Sequence, residues 1–385
     1  MGWTERFTSA AMGPRGIRVL LAVLVALVAI KSALEISVFG SKILCWDTML
    51  LTGTSVFALA VALALSLPRR FEDALTALRV HGALPVTVAE TDAIKSELER
   101  KGRATINRAA VIVGMLVLVG FLYVLMPQFI AIWRDPAIPP GVVYALIGFF
   151  GLLMLVCAFC GYVGGAFLGR VASYGAFARR LSREGSGLSL QPGHYDGANG
   201  LAPIGSLYLY QAFLVMFPIL WLAVWWLAIP YYDTTTCNAG IANPYINWRM
   251  PLLVLWITSV VFLFLAFVRP VLQLRARIKT ERARLKRNRL PDIRAEIDAI
   301  RTNLSKSPPP EADRIAAETR LAALAREHWN IVHMPTWPMD RATMRQYFSV
   351  NAVSTVAPVA LKSYDALHGG SLLSPALQHL LAGFG

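Results

Sequence analysis

Six apolar stretches constrain the fold of this chain more than any other feature of its sequence. A helix rises about 1.5 Å per residue, so about 20 apolar residues match a hydrocarbon core of roughly 30 Å. Lipid cannot hydrogen-bond the backbone, so segments of this kind must cross as helices. The sequence therefore predicts an all-α, polytopic membrane helix bundle with six spans, at about residues 17–39, 47–67, 109–133, 141–168, 206–232 and 250–268.

The basic residues are distributed unevenly between the predicted loops. The chain carries a formal net charge of +14, and 56% of its residues are hydrophobic. Arg and Lys concentrate in the N-terminal segment, in loops 68–108 and 169–205, and after the sixth span; the remaining loops hold Lys42, Arg134 and Arg249. Positive residues favour the cytoplasmic side. We therefore expect a multipass protein of the bacterial inner (cytoplasmic) membrane with both termini in the cytoplasm.

The same basic excess does not predict a nucleic-acid partner. Anionic lipid of the inner leaflet attracts basic loops, and no basic motif interleaved with aromatic residues occurs in the sequence. The expected partners are the lipid bilayer and further copies of the chain in a homo-oligomer.

The region after the sixth span changes in character. Residues 269–334 are rich in charge, and apolar residues recur at helical spacing in two arms separated by a Pro-rich break at 307–310. This pattern predicts a cytoplasmic, coiled, antiparallel helical hairpin in which Pro291 kinks or restarts the first arm. Residues 335–385 are predicted to form an amphipathic, interfacial segment whose helix is capped by Asp340. A seventh span over 346–368 is the alternative.

Three small sets of residues within or beside the spans invite local hypotheses. Cys157, Gly161, Gly165 and Gly169 share one helix face, which suits close helix packing within the chain, a subunit interface or a pore-facing helix. Lys31 and Glu35 are four residues apart in the first span, as in a self-neutralised pair or a wet cavity. Cys45 and Cys237 lie in loops expected to face an oxidising compartment, where they form either a disulfide or two free thiols.

The densest polar motif precedes the fifth span. His194, Asp196 and Asn199 carry side chains that ligate divalent metals, and glycines separate them. The competing interpretation is a glycine-rich turn in which Asp196 and Asn199 bond to the backbone and cap the span. Because the other histidines are distant in sequence, we place them away from this loop, and the identity of any metal is left open.

This motif resembles one found in some uncharacterised bacterial multipass membrane proteins. There a His-x-Asp pair is followed by Gly-Leu-x-x-[Leu/Ile]-Gly at the start of a span, as at His194, Asp196 and 200–205 here. A later Trp-Pro element of those proteins is similar to 335–340, although this chain has Tyr195 for Pro and Asn199 for Gly. The resemblance implies a shared architecture and no particular activity.

No nucleotide-binding loop, hydrolase elbow or zinc-protease motif occurs in the sequence. We therefore predict no catalytic residue, no cofactor and no enzymatic activity. The favoured function is a channel-like or permeability-controlling protein whose hairpin serves assembly or gating. The first alternative is a membrane-anchored sensor, scaffold or effector that binds a cytoplasmic protein through 269–334. The second is a metal-dependent membrane enzyme that uses His194 and Asp196.

Overall fold

The structure is a computed structural model that describes residues 14–39, 43–85, 87–134, 140–183, 188–229, 246–306 and 310–367. Every regular element within these ranges is helical. The α-helices in chain order are α1 (Pro14–Phe39), α2 (Ile43–Leu65), α3 (Leu67–Val80), α4 (Val88–Arg134), α5 (Pro140–Leu181), α6 (Ala202–Ala228), α7 (Arg249–Leu263), α8 (Arg269–Lys306), α9 (Glu311–Val332) and α10 (Arg341–Leu367).

Helices long and apolar enough to cross a membrane make up most of the described chain. Five such stretches are present among the described residues: Met49–Val80, Val88–Pro127, Val143–Leu181, Ala202–Ala228 and Ile246–Lys306. In α1 a shorter apolar helix is described, Arg18–Ile30. The all-helical, multipass architecture is therefore confirmed, and the crossing by the first helix stays a prediction.

The fourth and fifth helices form the closest helix pair, and the small-residue face of α5 is the reason. A Cβ added at Gly161 would lie 2.8 Å from the Val117 side chain, and one added at Gly169 would lie 2.5 Å from the Cα of Ile106. At Gly165 it would collide with the carbonyl of Ala109. These contacts run antiparallel along α4, so in this chain the stripe serves packing between two of its own helices.

The last apolar helix continues directly into the charged region. Between α7 and α8 lies a π-helical turn, Phe264–Val268, and the whole stretch Ile246–Lys306 is one helix of 61 residues. Ala266 in this turn approaches α5 so closely that a Cβ at Gly175 would lie 2.7 Å from its carbonyl oxygen. Pro291 lies inside α8, which continues through it. Of the two alternatives from the sequence, a kink or a restart of the first arm, the restart is therefore wrong.

Helices α8 and α9 pack against each other in opposite directions. Leu290 and Ile293 of α8 are buried with Leu324 and Ile331 of α9. The charged pairs Arg289–Glu327 and Arg320–Glu296 join the two helices at a constant antiparallel register. A helical hairpin is therefore present, and Ile315, near the start of α9, is 56% exposed.

The final described helix lies along α6. Asp340 caps it as predicted, accepting a hydrogen bond of 2.7 Å from the N–H of Thr343. Pro358 does not interrupt it, because α10 continues to Leu367. Its buried residues include Tyr347, Val350 and Ser354, and it packs mainly on α6.

Candidate metal centre

Three segments that are distant in sequence meet at one end of the bundle. The loop 188–201, which precedes α6, lies between the turn after α3 and the segment that joins α9 to α10. On one side the N–H of Ser189 donates to the Ala83 carbonyl at 2.9 Å. On the other side Asn199 Nδ2 donates to the Pro335 carbonyl at 2.9 Å. The two motifs that carried the resemblance, about 140 residues apart, therefore touch in the folded chain.

The turn after α3 places a histidine beside the loop. Gly82 has a φ of 68°, a left-handed conformation that glycine adopts without steric cost. The Ala83 N–H then donates back to the Leu78 carbonyl at 3.0 Å, which closes the end of the helix. His81 is the last residue before this glycine, and its imidazole therefore faces the loop that contains His194.

Asp196 organises the loop through its carboxylate. Oδ1 accepts hydrogen bonds from the N–H groups of Ala198 at 2.9 Å and Gly200 at 3.0 Å. Oδ2 accepts one from Ala202, the first residue of α6, at 3.1 Å. Asp196 therefore has the turn-forming and capping role that the structural interpretation of the motif assigned to it.

The charge of Asp196 is favoured by these contacts. Burial of the carboxyl opposes ionisation, but the hydrogen bonds from Ala198, Gly200, Ala202 and His194 outweigh it, and the pKa of Asp196 lies below its ordinary value. The side chain is an ionised, nearly buried acceptor at neutral pH. Such a carboxylate is a ready ligand for a cation.

Two imidazoles flank this carboxylate. His194 Nδ1 lies 3.0 Å from Asp196 Oδ1, and His81 Nδ1 lies 3.9 Å from Oδ2. The two rings are 4.7 Å apart between centroids. One ligand atom from each residue can be chosen such that all lie within 4.8 Å of one another, the only such group of three metal-ligating side chains in the described part of the chain.

His81 was missed by sequence reasoning, which placed the other histidines away from the loop, and that placement was wrong. The signal was indirect. Loops 68–108 and 169–205 are both predicted on the same side of the bilayer, and His81 ends a short amphipathic helix just before a glycine. Membrane topology therefore brings the two loops to one face, but their lateral contact depends on helix packing that the sequence does not reveal.

The donor set suits a borderline transition metal such as Zn²⁺. Imidazole nitrogen and carboxylate oxygen bind zinc at about 2.0–2.2 Å, so neighbouring ligands in a tetrahedral site lie about 3.3 Å apart. His194 Nδ1 is already 3.0 Å from Asp196 Oδ1, whereas His81 Nδ1, at 3.9 Å from Oδ2, would have to move toward Asp196 to reach that spacing. Three protein ligands leave a fourth position for water or another ligand.

Second contacts already orient the ligands. Tyr195 Oη and His81 Nε2 are 3.1 Å apart, which directs the other ring nitrogen, Nδ1, toward Asp196. That Nδ1 is buried and has no hydrogen-bond partner among the described residues. A buried nitrogen that lacks a hydrogen bond carries a desolvation cost, which a bound cation would offset.

The remaining predicted site residues are placed as follows. Asn199 is buried beside Pro335, its φ of 60° makes it part of the turn, and its Oδ1 has no hydrogen-bond partner among the described residues. Cys157 is a buried free thiol on the α5 face toward the core. The side chains of Lys31, Glu35 and Cys45, and all of Cys237, lie outside the described residues, so their pairing stays a prediction.

Comparison with known proteins adds no relative: no protein-family model, no curated protein and no solved structure matches this chain.

Proposed function

We propose that this chain is a membrane-anchored sensor in which a divalent transition-metal ion binds His81, His194 and Asp196 and alters the helical hairpin α8–α9. The observation that carries the proposal is the position of His81, whose unpartnered Nδ1 completes a set of three ligand side chains at one end of the bundle. Two histidines and a carboxylate are a common zinc donor set.

The proposal includes an orientation. Six spans before the hairpin would place the metal cluster and α8–α9 in the cytoplasm of a bacterium, with the basic loops against the inner leaflet. Support comes from the cluster itself, because its residues belong to loops 68–108 and 169–205, and the neighbouring Pro335 belongs to the tail. The distribution of basic residues predicts the same side of the membrane for all three segments.

The loop that holds the metal ligands also touches the hairpin. A Cβ at Gly193 would collide with the side chain of Asn330 in α9, so the loop and the helix are in direct contact there. Arg282 of α8 donates at 2.7 Å to the Val332 carbonyl, which ties the end of α9 to the helix that enters the membrane. Contraction of the cluster around an ion therefore moves a loop that is packed on the base of the hairpin.

The exposed surface near this base suits a partner. Trp329 is 62% exposed and stacks on His333 with ring centroids 3.6 Å apart. An exposed, rigid tryptophan is a frequent anchor at protein interfaces. We assign the proposed cytoplasmic partner to the region 269–334, with the base of the hairpin as the part that senses the metal.

Binding is tested by calorimetry of the purified full chain in nanodiscs with Zn²⁺. We expect about one high-affinity site per chain, and a loss of affinity of at least tenfold in His81→Asn and His194→Asn. His333→Asn is the matched control, since it removes a nearby exposed imidazole that is outside the cluster. Equal affinity in all four proteins, or no binding by the wild type, would contradict the site.

Signal transfer is tested by hydrogen exchange with and without Zn²⁺. We expect slower exchange in peptides that cover 188–201 and 327–340 of the wild type, and no change in His81→Asn. Slower exchange confined to 188–201 would support a structural metal site and contradict the sensor.

The channel-like function favoured by the sequence stays a prediction, as does homo-oligomer formation. Ion flux through liposomes that contain the purified chain would favour it over the sensor, and metal-dependent turnover would favour the enzyme alternative. The sensor would be favoured instead if no flux were measured and a protein copurified through 269–334 only in the presence of Zn²⁺.

A further inference from the structure

Helix α10 starts beside the start of α6 and runs in the same direction. A Cβ at Gly205, in the first turn of α6, would lie 2.5 Å from the Cβ of Met339, just before α10 begins. Both helices are 27 residues long. Because α6 is apolar enough to span a membrane, a helix of equal length at its side has the reach to span it as well.

The midpoint of α10 is held against the apolar helices α6 and α7. Trp256 Nε1 of α7 donates to the carbonyl of Ser354 at 3.3 Å. The ring of Trp256 also stacks on Trp226, close to the far end of α6, with centroids 5.8 Å apart. Ser354 is the middle residue of α10, so the helix is still held against the bundle halfway along its length, and it continues to Leu367.

The side chains of α10 are arranged for lipid on one face and protein on the other. No charged residue lies between Arg345 and Lys362, a stretch that rises about 24 Å as a helix. The residues that point away from the bundle in this stretch are largely apolar. They include Phe348, Val353, Val356, Val359 and Leu361, each at least 41% exposed.

Three polar residues of the same stretch face inward, whereas Gln346 and Ser349, near the start of α10, are exposed. Tyr347 and Ser354 are each 1% exposed, and Asn351 is 8% exposed. Asn351 Nδ2 donates to the Tyr347 carbonyl at 2.7 Å, and Ser354 Oγ donates to the Val350 carbonyl at 3.1 Å. Hydrogen bonds inside the helix satisfy Asn351 Nδ2 and Ser354 Oγ without water, as a helix in hydrocarbon requires, whereas Asn351 Oδ1 and the Tyr347 hydroxyl have no partner among the described residues.

We propose that α10 crosses the bilayer as a further span, with acyl chains covering its exposed apolar face and its polar face buried against α6 and α7. The inward polar residues lower the mean hydropathy of α10, so composition alone does not identify it as a span. The proposal places residues after α10 on the opposite side from Arg341, in contrast to the sequence prediction that both termini share one side.

The test uses single cysteines in the full chain after replacement of the four native cysteines. A membrane-impermeant maleimide reaches only the outer face of intact cells. We expect it to label one of Arg341→Cys and Ser363→Cys in intact cells, and the other only after the cells are permeabilised. Ala342→Cys and Lys362→Cys provide a second pair if either variant fails to fold. Labelling of both members of a pair from the same side would overturn the proposal.

A second measurement examines lipid contact directly. A bimane on Val356→Cys should be quenched by nitroxide lipids as strongly as one on Val261→Cys of α7, which is exposed on an apolar span. A bimane on Ile315→Cys of the hairpin is the aqueous control. Quenching of the Val356→Cys probe by a water-soluble nitroxide, with none by lipid, would contradict burial in the bilayer.

Discussion

The helix pairs α4–α5 and α6–α10 bury surface by different means. In α4–α5, glycines let two backbones approach closely, and the partners are neighbours in sequence. In α6–α10, more than 100 residues separate the partners, and the contact includes buried polar side chains such as Tyr208, Tyr347 and Asn351. Packing through small residues can be recognised in the sequence, because glycines repeat on one face of the helix. Polar residues that pack against another helix within a membrane resemble those of a solvent-exposed helix until the partner helix is known.

The difference has an energetic counterpart. Where glycine lets two backbones touch, no side chain can move aside, so a group added there forces the backbone to shift. A polar side chain contributes through hydrogen bonds, whose value depends on whether both groups are paired. Substitutions in the two pairs should therefore change the stability of the protein by different amounts and through different contacts.

The largest effect is expected at the glycine contact. Gly165→Leu places a side chain against the Ala109 carbonyl and 2.9 Å from the Cα of Ala110 for its Cβ alone. Overpacking costs about 1–3 kcal/mol where neighbours adjust and more where backbone blocks the site, so we expect loss of folded protein. Fluorescence-detected size exclusion measures it. Gly148→Leu, on the same helix with nothing within 4 Å, should behave as wild type.

A smaller loss is expected where α6 meets the start of α10. Gly205→Val introduces a Cβ 2.5 Å from the Met339 Cβ and 3.0 Å from the Met339 Cα and the Pro338 carbonyl oxygen, so the segment 338–339 must shift, which costs less here than within a packed helix because this segment lies between helices. We expect a loss of about 1–3 kcal/mol and faster protease cleavage in 333–340. Cleavage at the wild-type rate would show that α10 is not held at this contact.

Two tyrosines of the α6–α10 pair provide a matched comparison. Tyr208 Oη donates to the Gly175 carbonyl and accepts from the Ala178 N–H, whereas Tyr347 Oη has no partner among the described residues. We expect Tyr208→Phe to lower the free energy of unfolding by about 1–3 kcal/mol and Tyr347→Phe to be close to neutral. Thermal denaturation in nanodiscs measures both. A large loss in Tyr347→Phe would reveal a hydrogen-bonded water or ligand at that hydroxyl.

The capping carboxylate at the start of α6 gives the smallest effect and a pH signature. Asp196→Asn should lower stability by about 1–2 kcal/mol at pH 7, because charged acceptors bind N–H groups more strongly. The native pKa of Asp196 is below its unfolded value of about 3.9, so the advantage of the wild type is complete above that pH. It is lost as the pH falls through the native pKa. A difference that disappeared near pH 6 would contradict this.

Much of the fold could be predicted because lipid restricts the chain to apolar helices. The predicted span 206–232 overlaps α6, and the predicted span 109–133 lies within α4. Pro291 was overestimated as a helix breaker, since the sequence allowed it to restart the first arm of the hairpin. Pro291 and Pro358 both lie inside unbroken helices, because neighbouring helices and local adjustment accommodate the lost hydrogen bond.

The candidate site was only partly predictable. The turn at Asp196 follows from local residues, since glycines and an aspartate before a helix specify both the reversal and the cap. His81 does not follow from them, because its contact with Asp196 depends on how α3 packs against α6. The same limit applies to α10, whose inward polar face has meaning only once α6 and α7 are placed against it.

The metal centre is tested most directly by zinc K-edge X-ray absorption of the full chain loaded with one equivalent of Zn²⁺. The account predicts only nitrogen and oxygen ligands at about 2.0–2.1 Å, with the outer-shell scattering of two imidazoles. Scattering from a single imidazole should remain in His81→Asn. A sulfur shell at about 2.3 Å, or a spectrum without imidazole scattering, would show that zinc binds elsewhere and would contradict the site.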